Sequence, residues 1–567
     1  MPKDIKAFLQ YMFKGRHGAI LCLLCLSVVC VMSSSGLYGG LFSVGRNGQA
    51  DTVAGRPTKV YLLHADKARA DEQFLPGVQI LIGHIKFRHD SMYMYCDSAH
   101  VYNKTNSFEA FGTVRMEQGD TLFIYGDYLF YDGIVKLAKL RNNVKMINRN
   151  TTLMTDSLNY DRVANLGYYF DEGVLFDESN TLTSYWGEYS PETKIARFNE
   201  NVELTNDSML LTSDTLIYNT TTKIANIVGP SDIYNGDNHI YSELGYYNTG
   251  NDRAELLKRS VLSNEGKTMT GDSLFYDKRA GYGEAFRNVV MNDTVNKNIL
   301  TGEYCYYDQN TEYAYATEKA VAVNYSQKDS MFMHSDTMKL VTYNLGTDSM
   351  YRDMIGYHKV SIFKSDMQGI CDSIRFSSVD TCLTMFYDPV IWTSNQQILG
   401  EKIDIFLNDS TIDWAHIYNQ SLAVEHVDST FYNQVSGKEI KAYFDGAGEL
   451  EKVDILGNVL AVYYLLEEDS TYIGMNYSET SVMNIYVADR QMYKLVMSPG
   501  SNGNIYPMNQ RPEDKIFLPS FLWLEELRPK SKDDIFVWKG KKEEDKLKDK
   551  PQIELSLPKR DIKIEEE

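Results

Sequence analysis

Hydrophobic and polar residues alternate with a period of two over most of this chain. In the segment 272–276, Leu274 and Tyr276 fall on one face of an extended chain, and Ser273 and Phe275 fall on the other. Polar turn signals separate such segments at 103–106, 219–222, 248–251, 278–281 and 309–311. The pattern predicts strands and turns, and therefore an all-β chain.

The same segment returns at intervals of about 30 residues. Its clearest copies are Gly126–Tyr131, Thr155–Tyr160, Ser213–Tyr218 and Gly271–Tyr276. Half a repeat later, many copies carry a polar turn and then valine, as at 112–114, 142–144, 172–174, 200–202 and 287–290. A unit this short cannot bury its own apolar face, so the copies must stack into an elongated array. A right-handed β-helix with parallel pairing is the alternative fold for a repeat of this length.

An acid occupies the same slot in most copies, as Asp127, Asp156, Asp214, Asp272 and Asp372 show. One acid per repeat favours a structural role, in which the carboxylate accepts backbone N–H groups at a strand start or bend. The chain contains none of the common catalytic or nucleotide-binding motifs. We therefore expect no enzyme activity, no metal and no cofactor.

The repeated Leu, Tyr and Val positions form the predicted inner face. The candidate lining residues are Val114, Leu129, Tyr131, Leu158, Tyr160, Val174, Leu216, Tyr218, Leu274, Tyr276 and Val290. Such a face either forms a dry core between two sheets or lines an apolar groove that holds acyl chains. Alternation alone does not separate these two interpretations.

The formal net charge of -20 disfavours nucleic acid as a partner. One basic cluster stands out against this acidity: Lys136, Lys139, Arg141, Lys145 and Arg149. It is either a solvated face or a contact for a phosphate-bearing ligand.

The two ends differ from the repeats. Residues 1–36 combine a basic start with an apolar run, which is typical of an export signal. An apolar run extended over 19–42 is instead long enough for an inner-membrane anchor. We predict a linker at 37–74, the repeat domain at 75–507, a cap or docking segment at 508–530 and a charged disordered tail at 531–567.

The sequence of the first repeat strand predicts that this strand forms a free edge of the sheet. Its residues Val78, Ile80, Leu81 and Ile82 are apolar, and neither Lys nor Pro interrupts them. We expect this edge to accept a strand from a partner.

Repeats of the form G-D-S-L-x-Y, followed by a polar turn and G-x-V or N-x-V, resemble the OstA-like family. The resemblance implies an antiparallel jelly-roll, or β-taco, whose apolar interior carries the acyl chains of lipopolysaccharide through the periplasm. It also implies docking to other proteins of the same fold. The chain differs from the family's small soluble bridge protein in having many more repeats, and from the outer-membrane member in lacking a run of barrel strands. An envelope scaffold with a dry core is the alternative function.

Overall fold

The computed structural model describes residues 58–540, except 71–72, 74, 237, 259, 265, 296, 309, 326–328, 409–411, 429, 468–470 and 490. These residues form 38 strands and three short 3-10 turns. The strand pairs of this described part are antiparallel, for example over residues 137–161 and 450–488. The all-β prediction is confirmed, and the parallel β-helix alternative is wrong.

The chain divides into two compact units, and the division lies between Glu318 and Lys319, inside one strand. The strands of the amino-terminal unit up to this division are β1 (Tyr61–His64), β2 (Lys67–Ala70), β3 (Gln79–His89), β4 (Met92–Tyr102), β5 (Ser107–Gln118), β6 (Leu122–Asp132), β7 (Leu137–Asn148), β8 (Thr151–Asp161), β9 (Leu166–Tyr169), β10 (Gly173–Asp177), β11 (Asn180–Ser184), β12 (Trp186–Tyr189), β13 (Ile195–Asn206), β14 (Met209–Asn219), β15 (Ile224–Ile227), β16 (Ser231–Asn235), β17 (Asn238–Ser242), β18 (Leu244–Asn248), β19 (Arg253–Leu257), β20 (Val261–Asn264), β21 (Lys267–Thr270), β22 (Ser273–Asp277), β23 (Tyr282–Asp293), β24 (Asn298–Asp308) and β25 (Tyr313–Asn324), which contains the division.

Each long strand of this unit bends in its middle. In β7 the bend is made by Asn142 and Asn143, both in the left-handed region with φ of 61° and 50°. Asparagine tolerates this conformation better than most residues. The pairing register with β8 shifts at the same point, between Arg141 and Val144. The polar turn seen in the sequence is therefore a β-bulge that divides one strand into two arms.

The arms form two layers that face each other. Layer A contains the arms joined by the turns at 90–91, 119–121 and 149–150, and layer B contains those joined at 103–106, 133–136 and 162–165. Side chains that point between the layers are called inner, and the others outer. The core of the unit lies between the layers.

Large and small side chains alternate along an inner row of layer B. From β6 to β15 the row reads Tyr131, Ala138, Tyr160, Gly167, Tyr189, Ala196, Tyr218 and Ala225. Each of the four tyrosines of this row is thus paired with alanine or glycine on the neighbouring strands. The row leaves the tyrosines almost fully buried.

The carboxy-terminal unit continues the same construction. Its strands after β25 are β26 (Met331–Tyr343), β27 (Tyr351–Lys364), β28 (Met367–Ser377), β29 (Cys382–Phe386), β30 (Val390–Thr393), β31 (Gln396–Leu399), β32 (Lys402–Leu407), β33 (Ile412–Asp428), β34 (Phe431–Phe444), β35 (Leu450–Leu466), β36 (Tyr472–Ala488), β37 (Gln491–Ser498) and β38 (Asn502–Pro507). Its layer A contains the arms joined at 365–366 and 394–395, and its layer B contains those joined at 378–381 and 445–449.

Residues 508–540, here called the strap, run across the outer face of layer A in this unit. Leu518, Leu524 and Leu527 are buried in a cluster with Trp392 and Tyr464. The strap contains the 3-10 turns Glu513–Lys515, Glu525–Leu527 and Asp534–Phe536. Because the last of these turns buries Ile535, the prediction of disorder from residue 531 is wrong for residues 531–540.

Buried glutamines hold the strap by its backbone. The Gln397 amide donates to the Leu522 carbonyl at 2.8 Å and accepts from the Leu524 N–H at 2.7 Å. The Gln434 amide repeats this pattern with Ile516 and Leu518. Each glutamine thus pairs with the strap as a neighbouring strand would.

Candidate functional site

The repeated acids lie at the bends. Asp97 accepts hydrogen bonds from the N–H of Thr113 at 2.8 Å and from its hydroxyl at 3.1 Å. Asp156 accepts the N–H of Asn143 at 3.2 Å. Asp97 and Asp156 thus satisfy N–H groups that the bulge takes out of the strand ladder, as predicted, whereas Asp127 and Asp272 accept the side-chain amides of Asn143 and Asn288. Within the described ranges, no cluster of His, Cys, Asp or Glu side chains is arranged to hold a metal ion.

Most of the candidate lining residues point into the core of the amino-terminal unit. Leu129, Tyr131, Leu158, Tyr160, Leu216 and Tyr218 are 0% exposed, Val114 is 1% exposed and Leu274 is 5% exposed. Tyr276 shares their inner row and is half-buried. The two layers fill this core with their own side chains.

Val174 and Val290 do not share that face. Val174 pairs with Met154, whose side chain is outer and 44% exposed. The bend before it has a single left-handed residue, Glu172, so the inner position falls on Gly173. Val290 follows Val289, which takes the inner position and is buried. Their assignment to the lining is wrong, because alternation has to be counted from the bend.

From β33 to β38, two inner rows of the carboxy-terminal unit have smaller side chains than the corresponding rows of the amino-terminal unit. In the amino-terminal unit, the second inner row of layer A reads Met116, Ile124, Met146, Leu153, Leu175, Leu182, Leu204 and Leu211. In β33 to β38 the same row reads Ala423, Val435, Ala461, Ser478 and Gly503. The facing row of layer B reads Ala415, Ala442, Val453 and Ile485, and it lacks the tyrosines of the other unit.

Several residues of these two rows are partly exposed, whereas Ala461 and Ser478 of the layer A row are buried. Ala423, Val435, Ala442 and Val453 are all half-buried rather than sealed. Nearer the bend, the floor is apolar and closed, formed by Ile417, Ile440 and Ile455. The space between the two rows, above this floor, is here called the trough.

Polar residues mark the rim of the trough on layer A. Glu425 and Asn433 pair across β33 and β34, and the Asn433 amide donates to the Glu425 carboxylate at 3.0 Å. Tyr463 and Asn476 continue the same row. The trough therefore changes from apolar at its floor to polar at its rim, as the site of an amphiphile would.

The predicted amino-terminal edge is not an edge. Ile80, Leu81 and Ile82 pair with β4 on one side and with β2 on the other. Val78 precedes the strand and donates its N–H to Leu75. The assignment is wrong because the predicted linker contains β1 and β2, the two arms of an earlier bent strand. The segment Ala65-Asp66-Lys67-Ala68 resembles Cys96-Asp97-Ser98-Ala99 and could have revealed it.

The sheets of the described residues end in exposed strands on both sides. At the amino-terminal end, Tyr61, Leu62 and Leu63 of β1 are exposed. At the other end, β37 and β38 are both paired to β36. Apolar side chains of these two strands are exposed, namely Met492, Tyr493, Leu495, Val496 and Ile505. The strap contacts β38 through Lys515 and Tyr506, and these apolar side chains remain exposed.

The repeat with its bends and acids is matched by one family over residues 57–214, 193–272 and 248–344, together just over half of the chain. The chain belongs to the OstA-like protein family. The OstA-like match begins before β1 and ends near the end of β26, so it includes the strand pair that the sequence pattern had assigned to a linker. Among curated proteins, none matches this OstA-like chain.

The predicted export signal or anchor lies outside the described residues, and it stays a prediction. In residues 58–540, apart from the gaps given above, the structure contains no helix with the length and hydropathy to cross a membrane.

Proposed function

We propose that this OstA-like chain is a non-enzymatic periplasmic carrier that binds the acyl chains of lipopolysaccharide in the trough. The observation that carries the proposal is the change of the inner rows to small, partly exposed residues, such as Ala423 and Ala442. Acyl chains bind by burial alone, at about 0.8 kcal/mol for each methylene group. A trough with an apolar floor and a polar rim suits a lipid whose head stays outside.

We propose that the ligand binds in the carboxy-terminal unit and not in the amino-terminal unit. The inner rows of the amino-terminal unit are large and tightly packed, and Leu158 and Leu216 are fully buried there. A lipid could enter only by displacing these side chains from a well-packed core, which is costly. In this proposal, the candidate lining residues of the amino-terminal unit form a packed core, and the trough is the binding site.

Both sheet ends then serve to extend the carrier. An exposed strand with free N–H and C=O groups adds a strand from a partner, and another OstA-like jelly-roll is the partner that we propose. The strands available for this are β1 with β2 at one end and β37 with β38 at the other. An anchor at 19–42 would hold the amino-terminal end at the inner membrane.

Photo-crosslinking in cells tests the lipid site. A photoreactive residue at Ala442, which faces the trough, should capture lipopolysaccharide. The same residue at Lys441, the outward neighbour on β34, should not. Probes at Leu158, Leu216 and Leu274 are expected to capture little lipid, because the packed core leaves no room for it. Capture from Lys441 but not from Ala442 would contradict the proposed face.

A structural scaffold is the second candidate, and the closed core of the amino-terminal unit favours it. If no probe in the trough captures lipid, and depletion of the protein leaves envelope lipids normal, the scaffold is the better description. Accumulation of lipopolysaccharide at the inner membrane after depletion supports the carrier.

A further inference from the structure

Basic and aromatic side chains alternate from strand to strand on the outer face of layer A in the amino-terminal unit. Lys86 pairs with Tyr95, Tyr95 with Arg115, Arg115 with Tyr125, and Tyr125 with Lys145. The Arg115 guanidinium lies 4.4 Å from the centroid of the Tyr95 ring. The Lys86 ammonium lies 5.1 Å from the same centroid. This row, here called the ladder, is thus ordered by cation–π contacts.

The face around the ladder is apolar and open. Phe123 and Ile147 lie in the neighbouring outer row, paired with each other. On the following strands, Met154 continues the ladder row next to Lys145, and Phe176 continues the row of Ile147 beyond Thr152; they are 44% and 41% exposed. Arg88 adds an exposed cation at the start of that row.

The charge of this face opposes that of the chain. One acid, Glu117, lies in the neighbouring row and pairs with Arg115 at 3.0 Å. Lys86, Arg88 and Lys145 add to a local excess of positive charge in a chain whose net charge is -20. The ladder cations occupy every second strand, so they stand about 10 Å apart along the row.

The corresponding face is covered in the carboxy-terminal unit. There the outer row contains Gln368 and Trp392, paired as Thr152 and Phe176 are in the amino-terminal unit. Trp392 is fully buried in the cluster that includes strap residues, while Phe176 is exposed. Among the described residues, the strap covers this face around Trp392, whereas the face around the ladder is exposed.

We propose that the ladder face rests on the anionic headgroups of a phospholipid bilayer. Lysine and arginine beside tyrosine and a few exposed apolar side chains are what binding in the interfacial region requires. The residues from Phe42 to Thr58 can span at most about 55 Å, so the segment predicted as an anchor and the ladder can reach one bilayer. This inference does not depend on the carrier function.

Vesicle binding by the full chain tests the ladder. The probes are neutral phosphatidylcholine vesicles and vesicles with about a third phosphatidylglycerol, each at low and high salt. An apolar leader would bind both kinds of vesicle, so the contribution of the ladder is measured by the ratio of the two affinities. We expect the wild type to prefer anionic vesicles by about 10-fold or more at low salt, and to lose this preference at high salt.

A charge-matched pair of triple variants identifies the surface. Lys86→Gln with Arg115→Gln and Lys145→Gln should abolish the preference. Lys104→Gln with Lys258→Gln and Lys438→Gln removes the same charge at exposed positions elsewhere and should keep it. Circular dichroism melts establish that both variants are folded.

Two results would overturn the proposal. One is a wild type without preference for anionic vesicles, even if it binds an acidic polypeptide through these cations. The other is a folded ladder variant that keeps the whole preference, which would assign it to the basic residues of the leader.

Discussion

The ring of Tyr169 lies against Gly173, so that a methyl group at Gly173 would come within 2.6 Å of the tyrosine ring. No real methyl contact is that short, and the two residues are joined through the bend at Glu172. The glycine lets the tyrosine fill the core where the chain turns from layer B into layer A. The same glycine takes the inner position that valine occupies in other repeats.

Gly173→Ala should therefore destabilise the amino-terminal unit by about 1–3 kcal/mol, because the added methyl overfills a closed core. Urea unfolding followed by tyrosine fluorescence measures the change. Gly229→Ala is the control, since a methyl group there meets no atom within 4 Å. Equal stability of both variants would show that the core near Tyr169 can relax.

The glutamine contacts of the strap give a second prediction. Gln397→Leu leaves the Leu522 carbonyl and the Leu524 N–H without their partner in a buried cluster. We expect a loss of about 2–4 kcal/mol in unfolding free energy, since each unpaired buried group costs about 1–3 kcal/mol. The strap should also become sensitive to limited proteolysis.

Gln396→Leu is the matched control for the strap, because Gln396 is the exposed neighbour on β31. It should leave both stability and proteolysis unchanged. A strap that resists protease in the Gln397→Leu variant would mean that apolar packing of Leu518 and Leu524 is sufficient.

Glu284 gives a pH-dependent prediction. It lies on the outer face of β23 between Phe275 and Tyr306, and it is 6% exposed. Burial raises the pKa of Glu284 to about 7 from an ordinary 4.5. The folded state therefore holds a proton that the unfolded state releases, so stability is full below about pH 4.5 and falls as pH rises to about 7.

Glu284→Gln should stabilise the protein by about 1–3 kcal/mol at pH 8 and have little effect at pH 4. Thermal melts at the two values measure the difference. Glu255→Gln changes the same kind of group in the same outer row, two strands away, and serves as the control. A stability gain from Glu284→Gln that is equal at both pH values would rule out titration as the cause.

Three features can be predicted from the sequence: the strands, the inner face and the role of the acids at the bends. They depend on local alternation and on a position that recurs in each repeat. Alternation alone puts Val174 and Val290 on the wrong face, because one residue more or less in a bulge reverses every side chain after it. Asp66 is hard to recognise as a repeat acid, because its copy of the repeat keeps little more than the acid and the alanine.

The trough could not be predicted for a different reason. Ala423, Val435 and Ala461 lie far apart in sequence, and only the register of β33, β34 and β35 brings them into one row. The glutamine contacts cannot be predicted from the sequence either, because Gln397 and Leu524 are more than 120 residues apart and only the tertiary structure brings them together.

The amino-terminal edge gives the last prediction. Ile80 lies between Arg69 on β2 and His100 on β4, so a proline there removes a ladder N–H and interrupts a strand that is paired on both sides. Ile80→Pro should cost about 3 kcal/mol or more and unfold the start of the unit.

Leu63 lies in the register shift of β1 and has no ladder partner in β3. Leu63→Pro should therefore leave the melting temperature close to that of the wild type. If β1 pairs with a strand of an OstA-like partner, this variant should no longer copurify with that partner. A folded Ile80→Pro protein would contradict the pairing of β2 with β3, and a Leu63→Pro protein that still copurifies at wild-type levels would place the docking strand elsewhere.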